Sequence, residues 1–240
     1  MASRLASDPR PDDVEAQAVR VGGLGAMLAG IVFLGTIGYT FGFLFPLGLS
    51  TEMLNVPAQL LPWVHAHTVA YVGLWWIFVI HLICLLPAPA GLAVIAGPRR
   101  ATIRMATAAG VSGAVVGMVA AMVNAATAPP LSAASVATAP ALLPNVWLMS
   151  ELAGGLGLQL RMLSSLLVAV WLTITGLTLV RTTGWRALGA TQLAASAFVL
   201  VVVVAKPFDW LDLEPSLGFV LALVYLWIGI ALLRAPRAAT

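Results

Sequence analysis

The sequence predicts an all-α protein, a polytopic membrane bundle of about six transmembrane helices. Three observations predict it. Of 240 residues, 61% are hydrophobic and 9% charged, whereas a soluble domain carries about 25% charged residues. The mean hydropathy is +1.01. The apolar residues lie in continuous runs near the roughly 20 residues that a helix needs to cross a hydrocarbon core, not in the two-residue alternation of a barrel strand.

The runs fall at about 21–45, 64–86, 103–127, 157–180, 186–206 and 215–235, within one transmembrane domain over 20–236. Pro46, Pro87, Pro89, Pro129, Pro130, Pro207 and Pro215 sit at or near their ends, where a missing backbone donor costs little. Residues 1–19 are polar and contain Asp8, Asp12, Asp13 and Glu15. They are expected to form a disordered cytoplasmic tail rather than a cleaved signal peptide.

Orientation follows from the basic residues. With the tail inside, Arg4, Arg10, Arg20, Arg99, Arg100, Arg104, Arg181, Arg186, Arg234 and Arg237 all fall on the inner side. Only Arg161 and Lys206 fall outside. The positive-inside bias therefore predicts that both termini are cytoplasmic. Arginine in place of lysine, with abundant alanine, points to a high-GC bacterium and its inner membrane. The pI is about 9.6, but no basic stripe with interleaved aromatics is present, which excludes nucleic acid as a partner. The partner is the lipid bilayer. The single cysteine, Cys84, excludes an intrachain disulfide.

Small residues recur at helix-packing spacing. Gly38 and Gly42 form a GxxxG in the first run, and Ala106, Gly110, Gly113, Gly117 and Ala121 give the third a small face. Such faces let backbones approach closely in lipid. The third helix is the candidate for the bundle centre, and either face could also build a homo-oligomer. The outer connections, 46–63 and 128–156, are long and apolar, with Trp63 and Trp147 as interface anchors. Loops of that length usually carry structure or function. Short interfacial helices are expected around 51–61 and 142–154, as a lid on the bundle.

Candidate chemistry gathers on the outer side. Apart from the tail acids, every carboxylate falls there: Glu52, Glu151, Asp209, Asp212 and Glu214. They are either solvated loop residues or, for Glu52, Glu151 and Asp209, candidate general acids or bases. Asn124 and Arg161 lie about one turn inside the outer boundary and are candidate ligand-binding residues. Arg161 either snorkels to the interface or pairs inward with Glu151 or Asp209 as an anion site. Other motifs fail. Gly154-Gly155-Leu156-Gly157 has no preceding strand, so a dinucleotide fingerprint is unsupported. Lys206 lies at a helix end, which disfavours a retinal Schiff base.

The histidines are His65, His67 and His81. Residues two apart on a regular helix point about 200° apart, so His65 and His67 reach one metal only if His65 lies in a preceding turn. His67 and His81 are 14 residues apart, which places them about 40° apart on one face and about 21 Å apart along it. That spacing resembles the paired haem ligands of b-type cytochromes, although this chain has no further histidine to supply the opposite ligands. The pattern His65-x-His67, Gly73, Trp75 and Pro87 also resembles small membrane relatives of haem-copper oxidase and nitric oxide reductase subunits. The resemblance is confined to residues 63–87, and the haem- and copper-binding histidines of the full-length enzymes are absent. It implies haem or a transition metal held by His65, His67 and His81. The chain as a whole resembles the uncharacterised six-helix membrane proteins of high-GC bacteria.

Three functions remain open at this point. One is binding or transport of a small or lipid-like molecule at an outward-facing cavity. Another is a haem- or metal-binding redox component. The third is a membrane-embedded enzyme acting on a lipid or isoprenoid substrate.

Overall fold

The computed structural model describes residues 11–97, 101–206 and 214–235. Among them the elements are helical and no strand occurs: α1 (Pro11–Tyr39), α2 (Pro57–Ala66), α3 (Thr68–Leu85), α4 (Ala88–Ala96), α5 (Ala101–Ala137), α6 (Leu143–Leu179), α7 (Arg186–Ala205) and α8 (Glu214–Leu233). Six stretches are long and apolar enough to cross a membrane: Asp13–Leu44, Thr68–Ala96, Ala101–Ala137, Pro140–Leu179, Arg186–Ala205 and Ser216–Leu233. This is the pattern of a multi-pass membrane protein.

The spanning helices form a ring in chain order. α1 packs on α3, α3 on α5, α5 on α6, α6 on α7, α7 on α8, and α8 back on α1. The short α4 packs against α1, α5, α6 and α8 and closes one end of the ring. The core between them holds Leu82, Leu85, Trp171, Leu172, Val199, Tyr225 and Ile228.

Glycines set how closely these helices approach. A Cβ on Gly22 would lie 2.8 Å from Gly91 Cα, and one on Gly229 would lie 2.6 Å from Met27 N. A Cβ on Gly30 would lie 2.8 Å from Ala222 O. Read in order, these contacts make α1 and α8 antiparallel, so Arg20 and Arg234 share one end. Gly110 against Trp171 and Gly117 against Ser164 do the same for α5 and α6, which places Arg104, Arg181 and Arg186 at that end also. We call it the arginine end; the opposite end, with His65 and His67, is the histidine end.

Several expectations change. Residues 1–10 lie outside the described residues, but 11–19, expected in a disordered tail, are the beginning of α1. Asp13 and Glu15 lie in its first turns, where the N-terminal dipole favours acidic groups. The expected 64–86 helix is broken at His67, whose φ of −127° and ψ of 35° are not helical. The Thr68 hydroxyl takes Val64 O at 2.8 Å there, offering the backbone an alternative to a continuous helix. The second crossing then bends at Pro87 and continues as α4 to Gly97, whose φ of 98° ends it.

The third run does not stop at 127. α5 continues through Pro129 and Pro130 to Ala137, and the expected interfacial helix at 142–154 is instead the start of α6. Each of these helices has 37 residues, about 55 Å at 1.5 Å per residue, against a core of about 30 Å. Alanines flanking the prolines are the strongest helix formers, and packing of α5 on α6 carries both helices past the prolines. Around 51–61 the chain forms a 3-10 turn over Met53–Asn55 and then α2.

The small face of α5 is consumed inside the fold: Gly110, Gly113 and Gly117 lie against Trp171, Ser164, Val168 and Leu82. Gly38 and Gly42, read as a packing motif, have nothing within 4 Å of a Cβ. In α1 the close approaches are made by Gly22, Gly25 and Gly30 instead.

Candidate functional site

The histidine end is built around Trp63. Its indole Nε1 donates to Leu47 O at 2.9 Å, tying α2 to the loop that follows α1. Leu44, Leu49, Trp63, Val64 and Tyr71 form a buried cluster there, separate from the main core. Before that loop, α1 widens into a π-helix over Thr40–Leu44, with Phe45 N–H donating to Thr40 O at 3.0 Å. Pro46 lacks the N–H that would continue the helix. The hydroxyls of Thr36 and Thr40 donate to Val32 O (3.0 Å) and Thr36 O (2.9 Å), a back-bonding pattern that bends helices. Single π turns of this kind frequently accompany functional sites.

Between this widened turn and the α2–α3 break lies an open pocket of about 550 Å³. Its lining is Tyr39, Phe43, His65, Ala66, His67, Thr68, Val69 and Ala70. Tyr39 spans the two walls, its hydroxyl donating to Ala70 O at 3.0 Å. The break at His67 brings both imidazoles to the pocket: His65 belongs to α2, and His67 is the cap between α2 and α3. His67 is half-buried and stacked on Trp63, with centroids 4.8 Å apart and planes at 26°. Its Nδ1 lies 3.1 Å from Trp63 O. The pocket meets apolar surface, since Val69 is 88% exposed and Phe43 47% exposed.

His81 is not part of this site. It is 1% exposed and faces the α1–α8 contact. Its Nδ1 lies 2.9 Å from Ala29 O, and its ring packs on Phe33 (4.3 Å) and Tyr225 (5.7 Å). The face shared by His67 and His81 therefore joins a pocket at one end to packed core nearer the other. Among the described residues no three His, Cys, Asp or Glu side chains converge as a metal site.

The remaining candidates are dispersed. Glu52 is exposed before the 3-10 turn, and Glu151 is exposed on α6. Asp209 and Asp212 lie outside the described residues, as does the side chain of Glu214. Asn124 donates from Nδ2 to Ala120 O at 2.9 Å, and its amide fills the space left by Gly157, whose Cβ would lie 2.6 Å from it. One turn along α6, Arg161 is half-buried with its guanidinium carbon 5.7 Å from the Trp75 ring centroid. Glu151 lies ten residues before Arg161, about 15 Å along the helix axis. Asn124 and Arg161 thus line the α3–α5–α6 contact rather than the pocket.

A second cleft, about 530 Å³, lies at the arginine end among Ala18, Ala90, Val94, Ile103, Arg104, Thr107 and their neighbours. The Thr107 hydroxyl donates to Ile103 O at 2.9 Å. Sequence reasoning missed Tyr39 and Phe43 as pocket residues. Their four-residue spacing puts them on one helix face, but only the π turn shows that this face meets α3. No known protein family matches the chain, and no characterised protein or solved structure matches it either.

Proposed function

We propose that this chain is a binding or transport protein of a bacterial cytoplasmic membrane that takes a small or lipid-like molecule at an outward-facing pocket. The observation that carries the reading is the pocket of about 550 Å³ at the histidine end. Ligand sites are typically concave, mostly apolar and furnished with a few polar groups. Here Tyr39, Phe43 and Val69 supply the apolar walls and the two imidazoles supply the polar groups. The orientation draws support from Arg20, Arg104, Arg181, Arg186 and Arg234, which share the opposite end, because cationic residues accumulate on the cytoplasmic side. Both termini are then cytoplasmic and the histidines face outward.

Native mass spectrometry of the protein purified in mild detergent tests the binding reading. A retained amphiphile that disappears in Ala66→Trp, which fills the pocket from its exposed rim, is the expected result. Identical retention in that variant would sink it.

A second reading is a metal held by His65 and His67. It is favoured by the break at His67, which brings both rings to one pocket, and by the carbonyl bonded to His67 Nδ1, a common support for a metal-bound imidazole. Elemental analysis after exposure to copper or zinc separates the two. Stoichiometric metal that is lost in His65→Ala and in His67→Ala would favour this second reading.

A further inference from the structure

A pocket for a lipid-like molecule needs a group that reads the polar head, and this one has few; the inference rests on the binding reading above. No lysine, arginine, aspartate or glutamate is in its lining, so an ionic head meets no counter-charge from those side chains. Two hydroxyls border it and both donors are spent. Tyr39 donates to Ala70 O at 3.0 Å and Thr68 to Val64 O at 2.8 Å.

His67 differs. Its Nδ1 faces Trp63 O at 3.1 Å, and a carbonyl oxygen only accepts, so Nδ1 carries the proton. In the neutral ring Nε2 is then an acceptor, and it has no protein partner among the described residues. The ring is held in place by its stack on Trp63, and Trp63 by its own bond to Leu47 O. The exposed ring of His65, also in the lining, carries both a donor and an acceptor and so does not choose between heads; the held acceptor of His67 is the group that favours a ligand that donates.

We propose that the pocket takes an uncharged amphiphile with a hydroxyl head, a membrane-dissolved alcohol or phenol, whose O–H donates to Nε2 of His67. Its hydrocarbon part lies against Tyr39 and Phe43 and leaves toward lipid past Val69. The specificity is that of one hydrogen bond at a half-buried ring: an analogue without the donor leaves Nε2 unpaired and binds more weakly.

The test uses the full-length protein in phosphatidylcholine nanodiscs with ¹⁵N-labelled histidine, of which the chain has 3. His67→Phe removes and so assigns one set of ring signals while keeping an aromatic ring against Trp63. The probes are 1-hexadecanol, its methyl ether and hexadecanoate. Hexadecanol should shift the His67 Nε2 signal saturably. The ether should bind about tenfold more weakly, the size of one lost hydrogen bond, and His67→Phe should lose the same factor for hexadecanol. Equal binding of the ether, tighter binding of hexadecanoate, or unaltered binding in His67→Phe would overturn the hydroxyl head and leave the pocket reading intact. If none of the three probes binds and Ala66→Trp changes nothing retained on purification, both readings fall.

Discussion

At the arginine end, a Cβ on Gly22 would sit 2.8 Å from Gly91 Cα; at the histidine end of the same helix, Gly35, Gly38 and Gly42 have nothing within 4 Å. The difference runs through the whole molecule. Gly25, Gly30, Gly91, Gly189 and Gly229 also bring backbone onto backbone or onto proline, so the helices approach closely at those points. At the other end contact is made by rings and single hydrogen bonds: Trp63 to Leu47 O, Tyr39 to Ala70 O, and His67 on Trp63. In lipid no hydrophobic force drives helices together, so close dispersion contacts hold one half. A cleft of about 530 Å³ remains at the arginine end and one of about 550 Å³ at the histidine end, but only the second has two imidazoles in its lining.

The largest expected effect breaks the close half. Gly22→Val should cost about 3 kcal/mol, because its new atoms meet α4 backbone that cannot move aside. Gly38→Ala should lie within about 0.5 kcal/mol of zero, or stabilise slightly, since alanine favours helix over glycine. Thermal unfolding of the two variants in one detergent makes the comparison directly. Similar losses for both would mean that the histidine half is packed as tightly as the arginine half.

The two histidines sharpen the contrast at a smaller scale. His81→Leu removes a buried bond to Ala29 O and a ring contact with Phe33, and should cost about 1–3 kcal/mol. His67→Leu should cost less than about 1 kcal/mol in stability while weakening ligand retention about tenfold, since its ring lies at the pocket rather than in the core. Equilibrium unfolding and native mass spectrometry on the same preparations separate the roles. A smaller loss than that of His81→Leu is expected at the α5–α6 contact, where the Ser164 hydroxyl donates to Gly113 O at 2.7 Å. Ser164→Ala should lose about 0.6 kcal/mol, the typical worth of such a bond between membrane helices, and the same unfolding measurement reads it.

Hydropathy made the six crossings legible, because a continuous apolar run long enough for a bilayer has few alternatives. The arginines distinguished the two ends: of the six that are described, all but Arg161 gather at one end. What hydropathy cannot carry is contact. Gly38 and Gly42 have the spacing of a packing motif, yet Gly22, Gly25 and Gly30 do the packing, a choice made by where α4 and α8 lie. Pro129 and Pro130 read as a helix end, yet α5 passes through them because α6 is packed alongside. The pocket was half legible: His65 and His67 stood out by composition. The break that sets both in the lining of one pocket lies beside Trp63, Thr68 and the loop at Leu47, which are remote or ordinary in sequence. Arg161 and Asn124 were visible as polar residues within a span, but Trp75 and Gly157, which explain them, are tertiary partners.

The central claim is that the histidine end holds one bounded site for an amphiphile. It is tested most directly by photo-crosslinking the full-length protein in nanodiscs with a diazirine-bearing hexadecanol and mapping the modified peptides. The account predicts saturable labelling at residues 39–43 and 65–70, competed by unlabelled hexadecanol and lost in Ala66→Trp. Uniform labelling along the lipid-facing sides of α5, α6 and α7, unaffected by competitor or by that substitution, would contradict it.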